Sequence, residues 1–292
     1  VDQEGGLVDR MPPEVHRTPG AYAVGSTSDW DQGRALGAAL AAECAGFGFH
    51  LDFAPVLDVW SNPDNTVIGK RAFGSDWKVV SGFGAAVSNA LQAAGVIPVV
   101  KHFPGHGDTV VDSHMGLPVV DKSLEDLSLQ ELPPFRDLIS GGETPSGRAE
   151  AVPAVMVAHI LMTQLDPDLP ASLSPAVVTD LLRGELGFGG VVFTDDLTMG
   201  AITQNYGLGE AAVLAVEAGC DMLLVCHGRD SVDAARSALL EAAASGRISQ
   251  ARLDESVRRI LSLKLEYGVS GEPVSAPDLN ALNALVDAVA AQ

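Results

Sequence analysis

The amino-acid sequence predicts an α/β fold and, within that class, a (β/α)8 barrel of the TIM type. Short apolar, β-branched segments alternate with longer segments of helical character along the 292 residues, which indicates repeated βα units around a parallel sheet. This alternation alone also fits an open doubly wound sheet. The polar residues decide between the two folds, because they fall at the ends of many different predicted strands, as in barrel active sites.

Five internal strands are predicted, each followed by at least one helix. The strands are predicted at residues 50–54, 96–101, 152–158, 191–194 and 221–226. The helices are predicted at residues 31–47, 77–94, 123–139, 175–186, 208–218, 229–245, 251–266 and 277–290. The polar side chains at or just after strand ends are Asp2, Asp58, Lys101, His102, His159, Asp195, Asp196 and His227. Residues 140–150, rich in Gly, Ser and charge, are predicted to form a solvated loop within a single domain.

Composition excludes several classes of function. The net charge of −20 disfavours nucleic acid and anionic membranes as partners. No apolar run reaches the roughly 18 residues of a membrane span, so no membrane segment is expected in this sequence. Three cysteines without regular spacing indicate free buried thiols rather than a disulfide framework. The chain also lacks the glycine-rich patterns that cradle phosphates after a strand.

Residues 101–114, KHFPGHGDTVVDSH, hold one lysine, three histidines and two aspartates directly after a predicted buried strand. In an extended loop, Asp112 and His114 point to the same side, since they are two residues apart. The carboxylate can then orient the imidazole for general acid–base catalysis. A metal site or a purely structural hydrogen bond is the alternative. We favour catalysis, because the Pro and Gly residues of this segment argue against a helix that would pair its histidines.

A second candidate pair is Asp195 and Asp196, which directly follow the predicted strand at 191–194. Two adjacent, partly buried carboxylates push each other's ionisation apart. One of the two can serve as a nucleophile, or one can cap the next helix while the other is solvated.

The string KHFPGHG followed by DSH closely resembles the signature of the β-N-acetylglucosaminidases of glycoside hydrolase family 3, the NagZ-like branch. The resemblance extends along nearly the whole chain, in the family's order. Its other motifs are VDQEGG at 1–6, FAPVLDV at 53–59, IGKRAFG at 68–74 and FTDDLTMGA at 193–201. One departure is Leu7, where many relatives have arginine, although Arg10 is kept.

The resemblance implies a retaining exo-β-N-acetylglucosaminidase that hydrolyses terminal β-linked N-acetylglucosamine from cell-wall-derived muropeptides or related amino-sugar glycosides. It implies Asp195 as the nucleophile and His114, held by Asp112, as the acid/base. The residues implied to bind the sugar are Asp2, Arg10, Arg71, Lys101 and His102. The expected partner is a small carbohydrate substrate, with no metal and no organic cofactor.

The resemblance further implies that residues 1–292 are one catalytic barrel domain of the family's N-terminal type. The first βα unit and any targeting segment would lie upstream of Val1, so the compartment, cytoplasmic or cell-wall-associated in a bacterium, stays open. The oligomeric state stays open as well. The alternatives are a β-glucosidase or an N-acetylglucosaminide phosphorylase of the same family, and, more distantly, a metal-dependent hydrolase or an inactive sugar-binding protein.

Overall fold

The strands and helices alternate along the chain. The computed structural model describes residues 1–109, 113 and 116–290, which form nine short strands and ten α-helices. In chain order the strands are β1 (Leu51–Asp52), β2 (Ile97–Phe103), β3 (Val119–Val120), β4 (Glu143–Thr144), β5 (Gly147–Arg148), β6 (Ala154–Val157), β7 (Leu161–Met162), β8 (Val191–Asp196) and β9 (Met222–Leu224). The helices are α1 (Ala21–Gly25), α2 (Trp30–Gly46), α3 (Trp77–Ala93), α4 (Leu124–Gln130), α5 (Pro133–Ser140), α6 (Gly200–Thr203), α7 (Leu208–Ala218), α8 (Arg229–Ser245), α9 (Gln250–Glu266) and α10 (Leu279–Ala290).

The main sheet has five strands in the order β1-β2-β6-β8-β9, and every neighbouring pair is parallel. The prediction of an α/β fold with a parallel sheet is therefore confirmed, and each predicted internal strand contributes to this sheet. In the part of the chain that the structure describes, β1 and β9 remain edge strands that do not pair with each other. The sheet is thus a curled half of the predicted barrel.

Capping side chains fix where several helices begin. The carboxylates of Asp29 and Asp76 each accept a hydrogen bond from the backbone N–H two residues ahead, at the start of α2 and α3. Ser123 and Asp126 form a reciprocal capping box at the start of α4. Because the first N–H groups of a helix have no partner inside it, these acceptors determine the first turn.

Two predictions of local structure are wrong, and one predicted helix has an unexpected hydrogen-bond pattern. The single helix predicted at 123–139 is two helices, α4 and α5, because Pro133 and Pro134 lack the N–H groups that would continue α4. The helix predicted at 175–186 is present as Ala176–Glu185, where its hydrogen bonds make it a π-helix. The solvated loop predicted at 140–150 contains an antiparallel hairpin of β4 and β5, in which Thr144 pairs with Gly147.

Both faces of the central strands β2, β6 and β8 are buried, as expected for parallel strands. On one face Val99 and Phe193 pack with Leu263 of α9. On the other face Val100 and Val192 belong to the large core shared with the surrounding helices. Neighbouring residues of one strand therefore face different layers, as the two-residue period of a strand requires. Among the described helices, none is long and apolar enough to cross a membrane.

The parallel arrangement brings the carboxyl ends of the strands to one edge of the sheet. Lys101 and His102 lie near the end of β2, and Asp195 and Asp196 end β8. His227 follows β9 by three residues. Polar side chains that are far apart in sequence thus meet at this edge.

Candidate active site

A cavity of about 470 Å³ opens at the carboxyl edge of the sheet. Six of the eight residues predicted for the site line it, namely Asp2, Arg10, Arg71, Lys101, His102 and Asp195. The other two, Asp112 and His114, lie outside the described residues. Ser113, which stands between them in sequence, lines the cavity. Its backbone oxygen accepts a hydrogen bond from Ala201 N at 2.9 Å.

Asp195 is partly exposed at the end of β8, and its Oδ1 accepts a hydrogen bond from Asp196 N at 2.8 Å. Burial raises the pKa of the Asp195 carboxyl, but His102, His159 and Lys101 with the Asp196 N–H bring it below its ordinary value overall. Asp195 is therefore a carboxylate at neutral pH, and the cavity that it faces is lined by the cations Arg10, Arg71 and Lys101 and by the acidic residues Asp2 and Glu4.

Asp196 is engaged differently, since four donors bind its carboxylate. Oδ1 accepts from the backbone N–H groups of Thr198 and Cys226, each at 3.0 Å. Oδ2 accepts from the Thr198 hydroxyl at 2.5 Å and pairs with His227 Nδ1 at 3.0 Å. These bonds join β8 to the loop after β9, so Asp196 supports the site.

A buried ion cluster lies beside Asp195. Lys101 Nζ lies 2.5 Å from Asp2 Oδ1 and 2.6 Å from Glu4 Oε1. Arg71 binds the same Glu4 carboxylate with two bonds, Nε to Oε2 at 2.9 Å and Nη2 to Oε1 at 2.7 Å. Burial raises the pKa of Glu4, but Lys101 and Arg71 lower it far below its ordinary value overall. The two cations are thus balanced by two carboxylates.

Sequence reasoning missed Glu4, although it stands in the VDQEGG motif. A signal was present, because Lys101 and Arg71 were both assigned to the site and two cations at buried positions require nearby carboxylates. The need for a carboxylate does not identify which acidic residue supplies it, since Glu4 and Arg71 are 67 positions apart.

His102 is held by Asp58, a fully buried carboxylate that was predicted at a strand end but not assigned a role in the site. His102 Nδ1 lies 2.6 Å from Asp58 Oδ2, and His102 Nε2 lies 3.5 Å from Arg71 Nη2. Asp58 Oδ1 accepts from the backbone N–H groups of His102 at 3.2 Å and His106 at 2.7 Å. Burial raises the pKa of Asp58, but His102 and His106 lower it below its ordinary value overall, so Asp58 is ionised.

His106 shapes the loop after β2. His106 Nδ1 pairs with the Thr109 hydroxyl at 2.7 Å and Nε2 with the Ser113 hydroxyl at 3.2 Å. Burial lowers the pKa of His106 to about 4, so the ring is neutral. Gly107 is required here, because a Cβ at this position would lie 1.7 Å from the Val59 oxygen.

Arg10 and His159 differ in their access to the cavity. Arg10 is exposed at the rim, and its backbone N–H donates to the side-chain oxygen of buried Gln3 at 2.7 Å. His159 is fully buried and lies between the Ser172 hydroxyl at 2.7 Å and the Asp196 backbone oxygen at 3.0 Å. His159 is therefore a hydrogen-bonded core histidine.

The metal-site alternative relied on His102, His106 and His114. Of these, His114 lies outside the described residues. The Nδ1 atoms of His102 and His106 are already paired with Asp58 and Thr109. Within the described residues, no three His, Cys, Asp or Glu side chains are grouped so that they could hold a metal ion.

Comparison with known proteins agrees with the motifs. Residues 1–263 match the model of the glycosyl hydrolase family 3 N terminal domain. A β-hexosaminidase of Stenotrophomonas maltophilia is 39% identical over 233 residues, which cover 78% of this chain and 66% of that protein. The β-hexosaminidase LpqI of Mycobacterium tuberculosis is 39% identical over 271 residues, covering 90% of this chain and 67% of LpqI.

A solved structure is also similar. A glycoside hydrolase family 3 β-N-acetylglucosaminidase from Paenibacillus superposes with a TM-score of 0.90 at 43% identity, covering 99% of this chain and 54% of that one. The chain thus spans between about half and two thirds of the length of these relatives. On the family match and these identities, the chain belongs to glycosyl hydrolase family 3.

Proposed function

We propose that residues 1–292 form the catalytic (β/α)8-type domain of a retaining exo-β-N-acetylglucosaminidase. The names of the relatives support this activity, since they are β-hexosaminidases and a β-N-acetylglucosaminidase. The proposed substrates are terminal β-linked N-acetylglucosaminides of cell-wall-derived muropeptides or related glycosides. The muropeptide part rests on the motif resemblance.

The observation that carries the proposal is the state of Asp195. An ionised carboxylate stands at the carboxyl end of β8, faces the cavity and has one oxygen bound by a backbone N–H. Among the described residues, Oδ2 of Asp195 has no hydrogen-bond partner, so it is available to attack an anomeric carbon. Attack forms the bond between this oxygen and C1 while the bond from C1 to the leaving oxygen breaks.

The leaving oxygen needs a proton at this step, and His114 is the proposed donor. Water then attacks C1 of the glycosyl ester and gives its proton to the same imidazole, which returns Asp195 to its ionised form. Ser113 supports this role, because it lines the cavity and is tied to Ala201, six residues after Asp195. Asp112 would orient His114 and stabilise its cationic form.

The remaining cavity residues suit a neutral, hydroxyl-rich ligand. Lys101 and Arg71 donate hydrogen bonds, while Asp2 accepts them, and the opposite charges are matched within the cluster. Arg10 reaches the same cavity from its rim. A volume of about 470 Å³ is suitable for a single sugar ring with its acetamido group.

The test uses nitrophenyl N-acetyl-β-glucosaminide with the wild-type chain and with Asp195→Ala. The variant should lose several powers of ten in rate while keeping its fold. Azide should restore turnover by attacking from the face that Asp195 leaves open, giving the α-glycosyl azide. A β-azide product, or an Asp195→Ala variant with wild-type turnover, would exclude this role. Faster hydrolysis of the matched β-glucoside would favour the β-glucosidase alternative.

A further inference from the structure

Asp58 lies beneath the cavity and uses its two carboxylate oxygens for different purposes. Oδ1 accepts two backbone N–H groups, those of His102 and His106, and so fixes the backbone around the end of β2. Oδ2 faces the His102 ring at 2.6 Å from Nδ1. Since an ionised carboxylate can only accept hydrogen bonds, the hydrogen of this contact must be on His102 Nδ1.

The other ring nitrogen of His102 faces a group of the opposite kind. Arg71 Nη2, which lies 3.5 Å from His102 Nε2, can only donate. A hydrogen on Nε2 would therefore point at the N–H groups of a cation. The further groups around the ring are the His106 imidazole, whose centroid is 5.8 Å away, and the Asp195 carboxylate, which interacts with His102 electrostatically.

We propose that Asp58 is a positioning residue that holds His102 in the tautomer with its hydrogen on Nδ1, so that Nε2 acts as a hydrogen-bond acceptor toward the cavity. This inference deepens the proposed function and rests on it for the identity of the ligand. The single lone pair of Nε2 would then accept a hydroxyl or amide hydrogen of the sugar in place of the long 3.5 Å contact with Arg71, and His102 would not contact a carbonyl oxygen. Lys101 and Arg71, which are permanent donors, would contact sugar oxygens.

The backbone contacts make the effect of Asp58→Asn specific. An asparagine at this position must keep its oxygen toward the N–H groups of His102 and His106, because its NH₂ group cannot accept from them. The NH₂ group then takes the place of Oδ2 and donates to His102 Nδ1. The histidine must move its hydrogen to Nε2, so the substitution inverts the tautomer.

Asn65 offers a matched control in the same loop. Its side-chain N–H donates to the His106 backbone oxygen at 2.7 Å and to the Thr109 hydroxyl at 3.2 Å. It is buried like Asp58 but forms no hydrogen bond with His102 in the described part of the chain. Asn65→Ala should therefore loosen the loop and leave the tautomer of His102 unchanged.

The experiment is long-range ¹H–¹⁵N NMR of the histidine-labelled chain at neutral pH without substrate. The signals of His102 are assigned by their loss in His102→Gln. In the wild type and in Asn65→Ala, Nδ1 should show the shift of a protonated ring nitrogen and Nε2 that of an unprotonated one. In Asp58→Asn the two shifts should exchange.

Three results would overturn the inference. They are a wild-type His102 protonated on Nε2, an unchanged tautomer in Asp58→Asn, and inversion in Asn65→Ala. If Asp58→Asn does not fold, the wild-type spectrum still decides whether Nε2 is free of hydrogen. Because the readout needs no substrate, its failure is separate from a failure of the proposed activity, which the nitrophenyl assay measures.

Discussion

Replacing Glu4 by glutamine is expected to destabilise the fold strongly, because Glu4 is the shared counter-charge of buried Lys101 and partly buried Arg71. Its carboxylate receives two bonds from Arg71 and one from Lys101, all between 2.6 and 2.9 Å. The Lys101 side chain is only 3% exposed. Glutamine keeps the volume of the side chain but removes the charge and places an NH₂ group against donors that need acceptors.

The loss of unfolding free energy in Glu4→Gln depends on which ion pairs remain after the substitution. Removal of one partner from a buried ion pair typically costs about 3–5 kcal/mol of unfolding free energy. Asp2 still lies 2.5 Å from Lys101 Nζ, so the loss falls mainly on Arg71, and we expect the low end, about 3 kcal/mol.

The contribution of Glu4 to the unfolding free energy depends on pH in a defined direction. Burial raises the pKa of Glu4, but Lys101 and Arg71 together lower it well below its ordinary value of 4.5. The carboxylate therefore stabilises the fold fully above the ordinary pKa, and this stabilisation is lost as the pH falls toward the pKa of the folded state. The difference between the wild type and Glu4→Gln should be largest at neutral pH and shrink below about pH 4.5.

A second buried glutamate, Glu43, provides a control, because its contribution to the unfolding free energy should change with pH in the opposite direction. Its carboxylate accepts from Gln3 Nε2 at 2.8 Å, and burial raises its pKa to about 7. The protonated Glu43 therefore stabilises the fold fully below its ordinary pKa of 4.5, and this contribution is lost as the pH rises from there through about 7. Glu43→Gln should match the wild type at pH 4 and become relatively more stable by pH 8, by up to about 3 kcal/mol.

Urea unfolding of the three proteins between pH 4 and pH 8 measures both effects. The reasoning is refuted if Glu4→Gln is as stable as the wild type at pH 7. It is also refuted if the stabilities of the two variants, relative to the wild type, change with pH in the same direction. The pKa values of the two carboxyls would then be shifted in the same direction.

Three further predictions concern the chemistry. His114→Ala should slow the hydrolysis of substrates with basic leaving groups far more than that of activated phenyl glycosides, and Asp112→Asn should have the same effect more mildly. Equal losses of rate for both substrate classes would assign His114 to binding or loop shape. Phosphate should replace water in part as the acceptor and yield N-acetylglucosamine 1-phosphate, because an imidazole repels this anion less than a carboxylate would, whereas free sugar alone at high phosphate would exclude it. Chelators should leave hydrolysis unchanged, and inhibition that added metal reverses would support the metal-dependent alternative.

The fold was predictable where the sequence has a strong period. Apolar strands and amphipathic helices of ten or more residues leave clear signals, and the parallel sheet follows from their alternation. The two-residue strands β3 and β7, which pair with each other, have no such signal. The break between α4 and α5 depends on Pro133 and Pro134, which the apolar pattern across 123–139 obscured.

The site was predictable where chemistry is concentrated in one segment. Lys101, His102 and Asp195 stand at strand ends, and the structure brings them to one cavity. Glu4 and Asp58 were not singled out as site residues, because a buried acceptor and a solvated carboxylate look alike in sequence. Their importance comes from partners 67 and 44 positions away, a separation that local patterns do not encode.

The adjacent residues Asp195 and Asp196 show what the structure adds. The residues alone left open which carboxylate caps and which reacts, and the family resemblance implies Asp195 as the nucleophile. The hydrogen bonds are consistent with that prediction, since four donors bind Asp196, two of them backbone N–H groups, while one binds Asp195. Asp196→Ala leaves two N–H groups without acceptors and should cost about 2–4 kcal/mol of unfolding free energy. Asp195→Ala should cost about 1 kcal/mol or less while losing turnover. Urea unfolding and nitrophenyl hydrolysis of both variants test this division, and a stable but inactive Asp196→Ala beside an active Asp195→Ala would reverse the assignment.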